Sequence, residues 1–230
     1  MKTIGLLGGM SWESTVLYYQ LLNEGVRERL GGLHSAKILM NSVDFAEIEQ
    51  FQVNGQWQEA GQNLAAAAQG LERSGADMVL ICTNLMHKVA PIVEAQIKVP
   101  LLHIADATGK VIKEQGLKKI GLLGTRYTME EDFYRQRLWD NFGLDVIIPE
   151  PEDREYVHRV IFDELCVGEF TDESRKNYLA IIDKLRQQGA EGVILGCTEI
   201  PLLVRQEDTD LPLLNTAALH AQYALEKIFS

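Results

Sequence analysis

The chain has 230 residues, with 46% hydrophobic and 24% charged side chains, which is typical of globular proteins and excludes disordered and coiled-coil classes. Its net charge of −11 argues against nucleic acid and anionic membranes as partners, because both need a basic surface. No apolar run approaches the roughly 18 residues of a membrane span, and the apolar N-terminal run is too short for a signal peptide. We therefore expect a cytoplasmic protein with no membrane partner.

The predicted elements alternate along the chain between short apolar strands and longer helices. The predicted strands cover residues 3–7, 37–40, 78–82, 101–103, 120–123, 145–148, 193–195 and 213–214. The predicted helices cover residues 12–30, 56–74, 86–95, 105–115, 129–141, 152–167, 171–188, 199–205 and 216–229. Such alternation is typical of parallel sheets with helices on both faces.

The chain also contains an internal repeat. Residues 2–9 recur as 118–125 at an offset of 116, and residues 75–84 match 189–198 at an offset of 114. Residues 100–105 match 212–217 at an offset of 112, so the three pairs keep their order while the loops between them shorten. The sequence therefore predicts an α/β fold with two pseudo-symmetric duplicated domains, mainly parallel sheets and an active site in the interdomain cleft.

The repeat selects two positions at the carboxyl ends of equivalent strands, where α/β sheets bind ligands. At the offset of 114 the partner of Cys197 is Thr83 and not Cys82. Neighbouring side chains of a strand point to opposite faces, so Cys82 is interpreted as a core thiol and Thr83 as the cleft residue. Cys197 precedes a predicted helix, whose N-terminal amides are expected to lower the thiol pKa. A buried, inert cysteine is the alternative for that position.

Five motifs together resemble the aspartate/glutamate racemase family. They are GLLGGMS at 5–11, CTNLMHK at 82–88, HIADAT at 103–108, GTRYTM at 124–129 and GCTEI at 196–200. The resemblance covers essentially the whole chain and is strongest to the enterobacterial broad-specificity branch. It implies an amino-acid racemase that is independent of pyridoxal phosphate, uses no cofactor or metal, acts on a small acidic amino acid and forms a homodimer. It also implies domains at 1–100 plus 215–230 and at 101–214.

The resemblance places the two catalytic positions at Thr83 and Cys197, which would act on opposite faces of the substrate Cα. Family members typically carry cysteine at both positions, so Thr83 is a departure, as are Leu85 in place of threonine and Cys166 in place of a basic residue. A threonine hydroxyl stays protonated far above neutral pH, whereas a thiol ionises more easily. We therefore expect the two faces to behave differently, with a bias toward one enantiomer, and the resemblance implies that this is the L form.

The predicted substrate contacts surround these two positions. The amides that follow Thr83 and Cys197, and those near Gly8 and Gly9, are expected to bind the α-carboxylate; a plain strand-to-helix turn is the alternative for the glycines. Glu199 is expected to bind the ammonium group, with a helix first-turn acid as its alternative. The complete predicted set of substrate-binding residues is Met10, Gln52, Asn84, Leu85, Thr125, Thr198 and Glu199.

Other interpretations stay open from the sequence. The chain is also compatible with an isomerase or decarboxylase of another small carboxylic acid, or with a non-catalytic small-ligand-binding protein that has lost one base. His87 and His103 either orient the site or belong to the core. No spacing typical of metal ligands, a dinucleotide fingerprint or a P-loop occurs in the sequence.

Overall fold

A computed structural model describes all residues 1–230 and contains eight strands and eleven α-helices. The strands are β1 (Ile4–Gly8), β2 (Ile38–Ser42), β3 (Met78–Ile81), β4 (Leu101–Leu102), β5 (Lys119–Leu123), β6 (Asp145–Ile147), β7 (Val193–Leu195) and β8 (Leu213–Asn215). The helices are α1 (Trp12–Leu30), α2 (Phe45–Val53), α3 (Trp57–Arg73), α4 (Ala90–Glu94), α5 (Ile104–Glu114), α6 (Arg126–Glu130), α7 (Asp132–Phe142), α8 (Pro151–Asp163), α9 (Asp172–Gln187), α10 (Ile200–Leu203) and α11 (Thr216–Ile228). Short 3₁₀ segments occupy Leu85–Val89, Leu165–Val167 and Gln206–Asp208.

The strands form two parallel sheets of four, ordered β2-β1-β3-β4 and β6-β5-β7-β8. The chain divides into two compact units, Met1–Ile104 with Ala217–Ser230, and Ala105–Thr216. The fold-class prediction of a duplicated α/β protein with parallel sheets is confirmed. The first segment of the first unit extends to Ile104, past the expected boundary at residue 100, because β4 pairs with β3 in the same sheet. None of the helices is long and apolar enough to cross a lipid bilayer.

The helix predictions differ from the structure in several places; the predicted helices at 86–95 and 152–167, for example, each divide into an α-helix and a 3₁₀ segment. Helix α2 lies in a stretch where no helix was predicted, and Asp44 caps it by accepting the amide of Ala46. The predicted helix at 129–141 is instead two helices, because the backbone of Glu131 is extended. Glu131 lies in a run of three acidic residues, and Asp132 after it lies in the first turn of α7, where the helix dipole favours negative charge.

The internal repeat reappears as equivalent contacts in the two units. Asp77 precedes β3 and accepts the Thr3 amide at 2.6 Å, while Glu191 precedes β7 and accepts the amides of Lys118 and Lys119 at 2.5 and 3.1 Å. Asp77 and Glu191 correspond at the offset of 114. In both units an acidic side chain thus ties the third strand to the start of the first, which supports the duplication with side-chain evidence.

The first unit has an apolar core on each face of its sheet. Alternation along β1 sends Leu7 to the face covered by α3, and Ile4 and Leu6 to the face covered by α1 and α11. The second face also contains Cys82, which is 1% exposed. Helix α11 supplies small residues to this core, among them Ala221, so the C-terminal helix is an integral part of the first unit.

Candidate active site

In the first unit, the turn that follows β3 carries Thr83. The amide of Cys82 still pairs with the Leu7 carbonyl at 2.9 Å, so the sheet continues to that residue and the chain leaves it at Thr83. Cys82 lies in the core, and desolvation raises the pKa of its thiol. Thr83 is partly exposed, whereas Asn84 is buried. The structure thus places Cys82 in the core and Thr83 at the surface, which is the placement expected from the register of the repeat.

A buried histidine holds this turn. His87 is 1% exposed, and its Nδ1 lies 2.8 Å from the Thr83 carbonyl oxygen. Its Nε2 accepts the Ile104 amide at 3.2 Å, so the proton of the neutral ring is on Nδ1 and is donated to Thr83. Burial, followed by repulsion from His103 and His220, lowers the His87 pKa well below its ordinary value. The ring is therefore a neutral link between two backbone segments.

The glycine turn after β1 is largely committed to internal contacts. The Gly9 amide donates to Thr15 Oγ1 at 2.8 Å, and a Cβ on Gly8 would lie 2.3 Å from Thr15 Cγ2. The Gly9 amide predicted to bind a carboxylate is therefore used within the protein, and the strand-to-helix turn explains both glycines. Met10 is 4% exposed and packs in the core that faces α3.

Two further predicted contacts lie beside the Thr83 turn. Leu85 is partly exposed and starts the 3₁₀ segment. Gln52 lies on α2 and not in a loop, and its Nε2 is 3.1 Å from Met86 Sδ. Helix α2 is thus connected to the Thr83 turn through Met86, a residue for which the sequence offered no functional signal.

In the second unit, the turn that follows β7 carries Cys197, Thr198 and Glu199, all partly exposed. The Cys197 thiol donates to Glu199 Oε2 at 2.9 Å, and the Thr198 hydroxyl donates to the same oxygen at 2.8 Å. Glu199 thus accepts a hydrogen bond from the thiol, although it was expected to bind the substrate ammonium group.

The expected lowering of the Cys197 pKa is wrong. Desolvation, then the Glu199 carboxylate and its hydrogen bond, raise the pKa of this thiol well above its ordinary value. Helix α10, which was expected to stabilise the thiolate, has only four residues and therefore a small dipole. Because the thiol donates to a carboxylate, its resting form is the protonated one, with an acceptor for its proton in contact.

Two more residues of the second unit lie near this turn. Thr125 follows β5, the strand beside β7, and its Oγ1 caps α6 by accepting the Thr128 amide at 3.5 Å. Cys166 is exposed on a 3₁₀ segment and contributes a small part of the upward shift in the Cys197 pKa.

The predicted site residues divide between the two units. Those of the first unit are Met10, Gln52, Thr83, Asn84 and Leu85.

The other predicted site residues, Thr125, Cys197, Thr198 and Glu199, belong to the second unit. In each unit, the predicted catalytic position, Thr83 or Cys197, is the first partly exposed residue after the third strand. No group of three or more His, Cys, Asp or Glu side chains is arranged to hold a metal ion.

The fold and the two turns define a duplicated α/β protein with chemically active side chains at equivalent strand ends. A sequence profile of the Asp/Glu/hydantoin racemase family matches residues 7–224. The chain belongs to this family and is an amino-acid racemase.

Solved structures of similar proteins support this membership along the full chain. A protein from Yersinia pestis, provisionally described as an Asp/Glu racemase, is 54% identical, with 100% of both chains covered and a TM-score of 0.96. An aspartate racemase homologue from Pyrococcus horikoshii is 35% identical, also with 100% of both chains covered, and has a TM-score of 0.89. The broad specificity amino-acid racemase RacX of Bacillus subtilis is 23% identical over 66% of this chain and 65% of its own length.

Proposed function

We propose that the protein is a cofactor-independent racemase of acidic amino acids, aspartate or glutamate, in which Thr83 and Cys197 act on opposite faces of one substrate Cα. The observation that carries this proposal is that the equivalent turns at Thr83 and Cys197 carry different proton-bearing side chains. Equivalent strand ends present a hydroxyl in one unit and, in the other, a thiol bonded to a carboxylate at 2.9 Å. Racemisation needs two proton-transfer groups of this kind, one on each face.

The reaction starts at the thiol. The S–H bond of Cys197 breaks as its proton passes to Glu199 Oε2, along the hydrogen bond already present. The thiolate then removes the Cα proton, so that a new S–H bond forms and the electron pair of the broken C–H bond remains on the substrate. We propose proton acceptance from Cys197 as the first role of Glu199, because both of its hydrogen bonds in this turn fall on one oxygen.

The carbanion is then protonated on the other face of Cα. The Thr83 O–H bond breaks as its proton passes to Cα, and solvent returns a proton to the Thr83 oxygen while Glu199 releases its own. No proton is gained or lost over the cycle, and no electron acceptor is required. In the reverse direction the Thr83 oxygen must act as a base, which a hydroxyl does poorly. We therefore propose that exchange of one enantiomer, the L form, proceeds faster than its inversion.

The substrate carboxylate needs donors where negative charge accumulates. We propose the amides after Thr83 and Cys197, with the side chains of Asn84, Thr125 and Thr198, for this role. Gln52 and Leu85 are proposed to contact the substrate side chain from α2 and from the 3₁₀ segment, and Met10 contributes through its backbone. The positions of these residues beside the two turns support the assignments.

Solvent-deuterium exchange at Cα tests the function. The protein is incubated in D₂O with each enantiomer of aspartate and glutamate, and the Cα proton signal is followed by NMR. Loss of that signal with at least one acidic amino acid, abolished in Cys197→Ser, supports the proposal. A new product without Cα exchange would indicate an isomerase or a decarboxylase, and binding without either change would indicate a non-catalytic protein.

We also propose that the enzyme is a cytoplasmic homodimer, as the sequence and the family resemblance predict. Multi-angle light scattering on the purified chain measures its mass in solution. A monomeric mass at micromolar concentration contradicts the homodimer, and recovery outside the cytoplasmic fraction contradicts the location.

A further inference from the structure

Three buried histidines occur in the first unit, at positions where the second unit has none. His87, His103 and His220 are 1%, 3% and 0% exposed, and the rings of His87 and His103 are 4.4 Å apart. The repeat aligns them with Pro201, Asn215 and Thr108. The Thr83 turn therefore has buried imidazoles behind it that the Cys197 turn lacks.

His87 is the histidine whose ring is hydrogen-bonded to the Thr83 carbonyl. His87 Nδ1 donates to the Thr83 carbonyl, while His220 donates from Nε2 to Leu102 O at 2.6 Å and accepts at Nδ1 from the Tyr18 hydroxyl at 2.8 Å. In the second unit the corresponding carbonyl, that of Cys197, accepts the Ile200 amide at 3.3 Å. A side chain thus fixes the first turn where a backbone amide fixes the second.

The hydrogen bond from His87 has a consequence for the neighbouring amide. The Thr83 carbonyl and the Asn84 N–H belong to one trans peptide, because the only cis bond is Met10–Ser11. In a planar trans peptide these two groups point in opposite directions. Since the carbonyl is directed at a ring buried in the core, the N–H is directed away from that ring.

We propose that His87 is a positioning residue that fixes the Thr83–Asn84 peptide plane, so that the Asn84 amide points at the α-carboxylate of the substrate. The inference rests on the proposed function and adds a residue to it that touches no substrate. Burial keeps the ring neutral, and the acceptance of the Ile104 amide by Nε2 keeps the proton on Nδ1. The Nδ1–H donor therefore stays directed at the Thr83 carbonyl.

Amide substitutions separate the two ring nitrogens. In His87→Asn the side-chain NH₂ lies near the position of Nδ1 and can still donate to Thr83, whereas in His87→Gln it lies nearer Nε2. Loss of one correctly aimed oxyanion donor typically lowers kcat by a factor of 10²–10³, so a misaimed one should lower it at least about tenfold. We expect that loss in His87→Gln, with KM nearly unchanged, and kcat within about threefold of wild type in His87→Asn. His220→Gln, which keeps the Nε2-like donor to Leu102, is the matched control for disturbing the cluster.

Equal losses of kcat in the Asn and Gln variants, or an equal loss in His220→Gln, would overturn the positioning role. A wild-type protein without Cα exchange on any acidic amino acid would overturn the proposed function and this inference together. A second measurement needs no variant: the Asn84 amide signal in the ¹⁵N–¹H spectrum should move downfield when wild-type protein is saturated with the acidic amino acid, aspartate or glutamate, that shows Cα exchange. An Asn84 signal unchanged at saturation overturns the inference even if every His87 variant fails to fold.

Discussion

The turns that carry Thr83 and Cys197 occupy equivalent places in two similar sheets, yet they differ in the groups that hold them. Thr83 is held through its carbonyl by the neutral His87, whereas the Cys197 side chain itself is bonded to Glu199. The thiol has a proton acceptor in contact, and the hydroxyl has a rigid support. The duplicated fold has thus kept two matching positions while giving them different side chains and different hydrogen-bond partners.

Removal of the thiol should give the largest effect. Cys197→Ser keeps the size of the side chain but raises its pKa by several units, so the group no longer becomes a base at neutral pH. We expect kcat to fall at least about a hundredfold, in line with the usual contribution of general acid–base groups, with an unchanged melting temperature. Racemisation followed by chiral chromatography measures the loss.

The matched control is the buried thiol of the other unit. Cys82→Ala removes a core sulfur and should lower the free energy of unfolding by roughly 1–2 kcal/mol while kcat stays within about twofold. If Cys197→Ser keeps more than a tenth of the wild-type kcat, or if Cys82→Ala loses activity at full stability, the register that selects Thr83 and Cys197 is incorrect.

Glu199→Gln should separate proton acceptance from thiol ionisation. The carboxylate raises the Cys197 pKa, so its removal should lower that pKa and increase the rate of thiol alkylation at pH 8. The kcat should nevertheless fall about tenfold or more, because the proton acceptor is lost. Alkylation of the Cys197 peptide, followed by mass spectrometry across pH, gives the first quantity, and steady-state kinetics gives the second.

Glu207→Gln is the control for this variant, because Glu207 is an exposed acid that pairs with Arg205 at 3.8 Å. It should change neither the alkylation profile nor kcat. A Glu199→Gln protein with wild-type kcat would remove Glu199 from the mechanism and leave the raised thiol pKa as a purely local effect.

Thr83→Cys should make the two turns more alike. Racemisation has an equilibrium constant of one, so Thr83 cannot favour inversion in one direction; it can only let exchange outpace inversion. We expect wild-type exchange to be faster than inversion for one enantiomer, and the variant to raise inversion severalfold toward the exchange rate. The ratio of deuterium incorporation to chiral conversion, measured for both enantiomers, reports this change. Equal exchange of both enantiomers in wild type, unaltered by the substitution, would exclude Thr83 as the second catalytic position.

The smallest predicted effect compares two buried tyrosines that the repeat aligns. Tyr18 lies 2.8 Å from His220 Nδ1, and Tyr134 donates to Thr108 Oγ1 at a longer 3.3 Å. Tyr18→Phe and Tyr134→Phe should each lower the free energy of unfolding by about 0.5–1.5 kcal/mol, with the larger loss at Tyr18. Urea denaturation measures both, and Tyr19→Phe, at a side chain that is 52% exposed, is the control expected to show no change. A larger loss at Tyr134 would contradict the ranking by distance.

Much of the fold follows from local signals. The eight strands are short apolar runs bounded by turns, and helix α1 begins at a Ser11 cap and ends before a glycine with φ +71. Helix α2 had a similar signal that was overlooked, since Asp44 is followed three residues later by Glu47. The equivalence of the acidic side chains Asp77 and Glu191 becomes visible only when the two halves of the repeat are aligned.

The sequence by itself determined the duplicated α/β fold, the core position of Cys82 and the alignment of Thr83 with Cys197 in the repeat. These conclusions depend on periodicity, order and offset, which are properties of the chain alone. Only the tertiary structure decided the charge environment of Cys197 and the hydrogen bonds of His87, because both depend on burial and on neighbours within a few ångströms. The sequence analysis expected a helix dipole to lower the thiol pKa, whereas in the structure burial, followed by the hydrogen-bonded Glu199 carboxylate, raises that pKa.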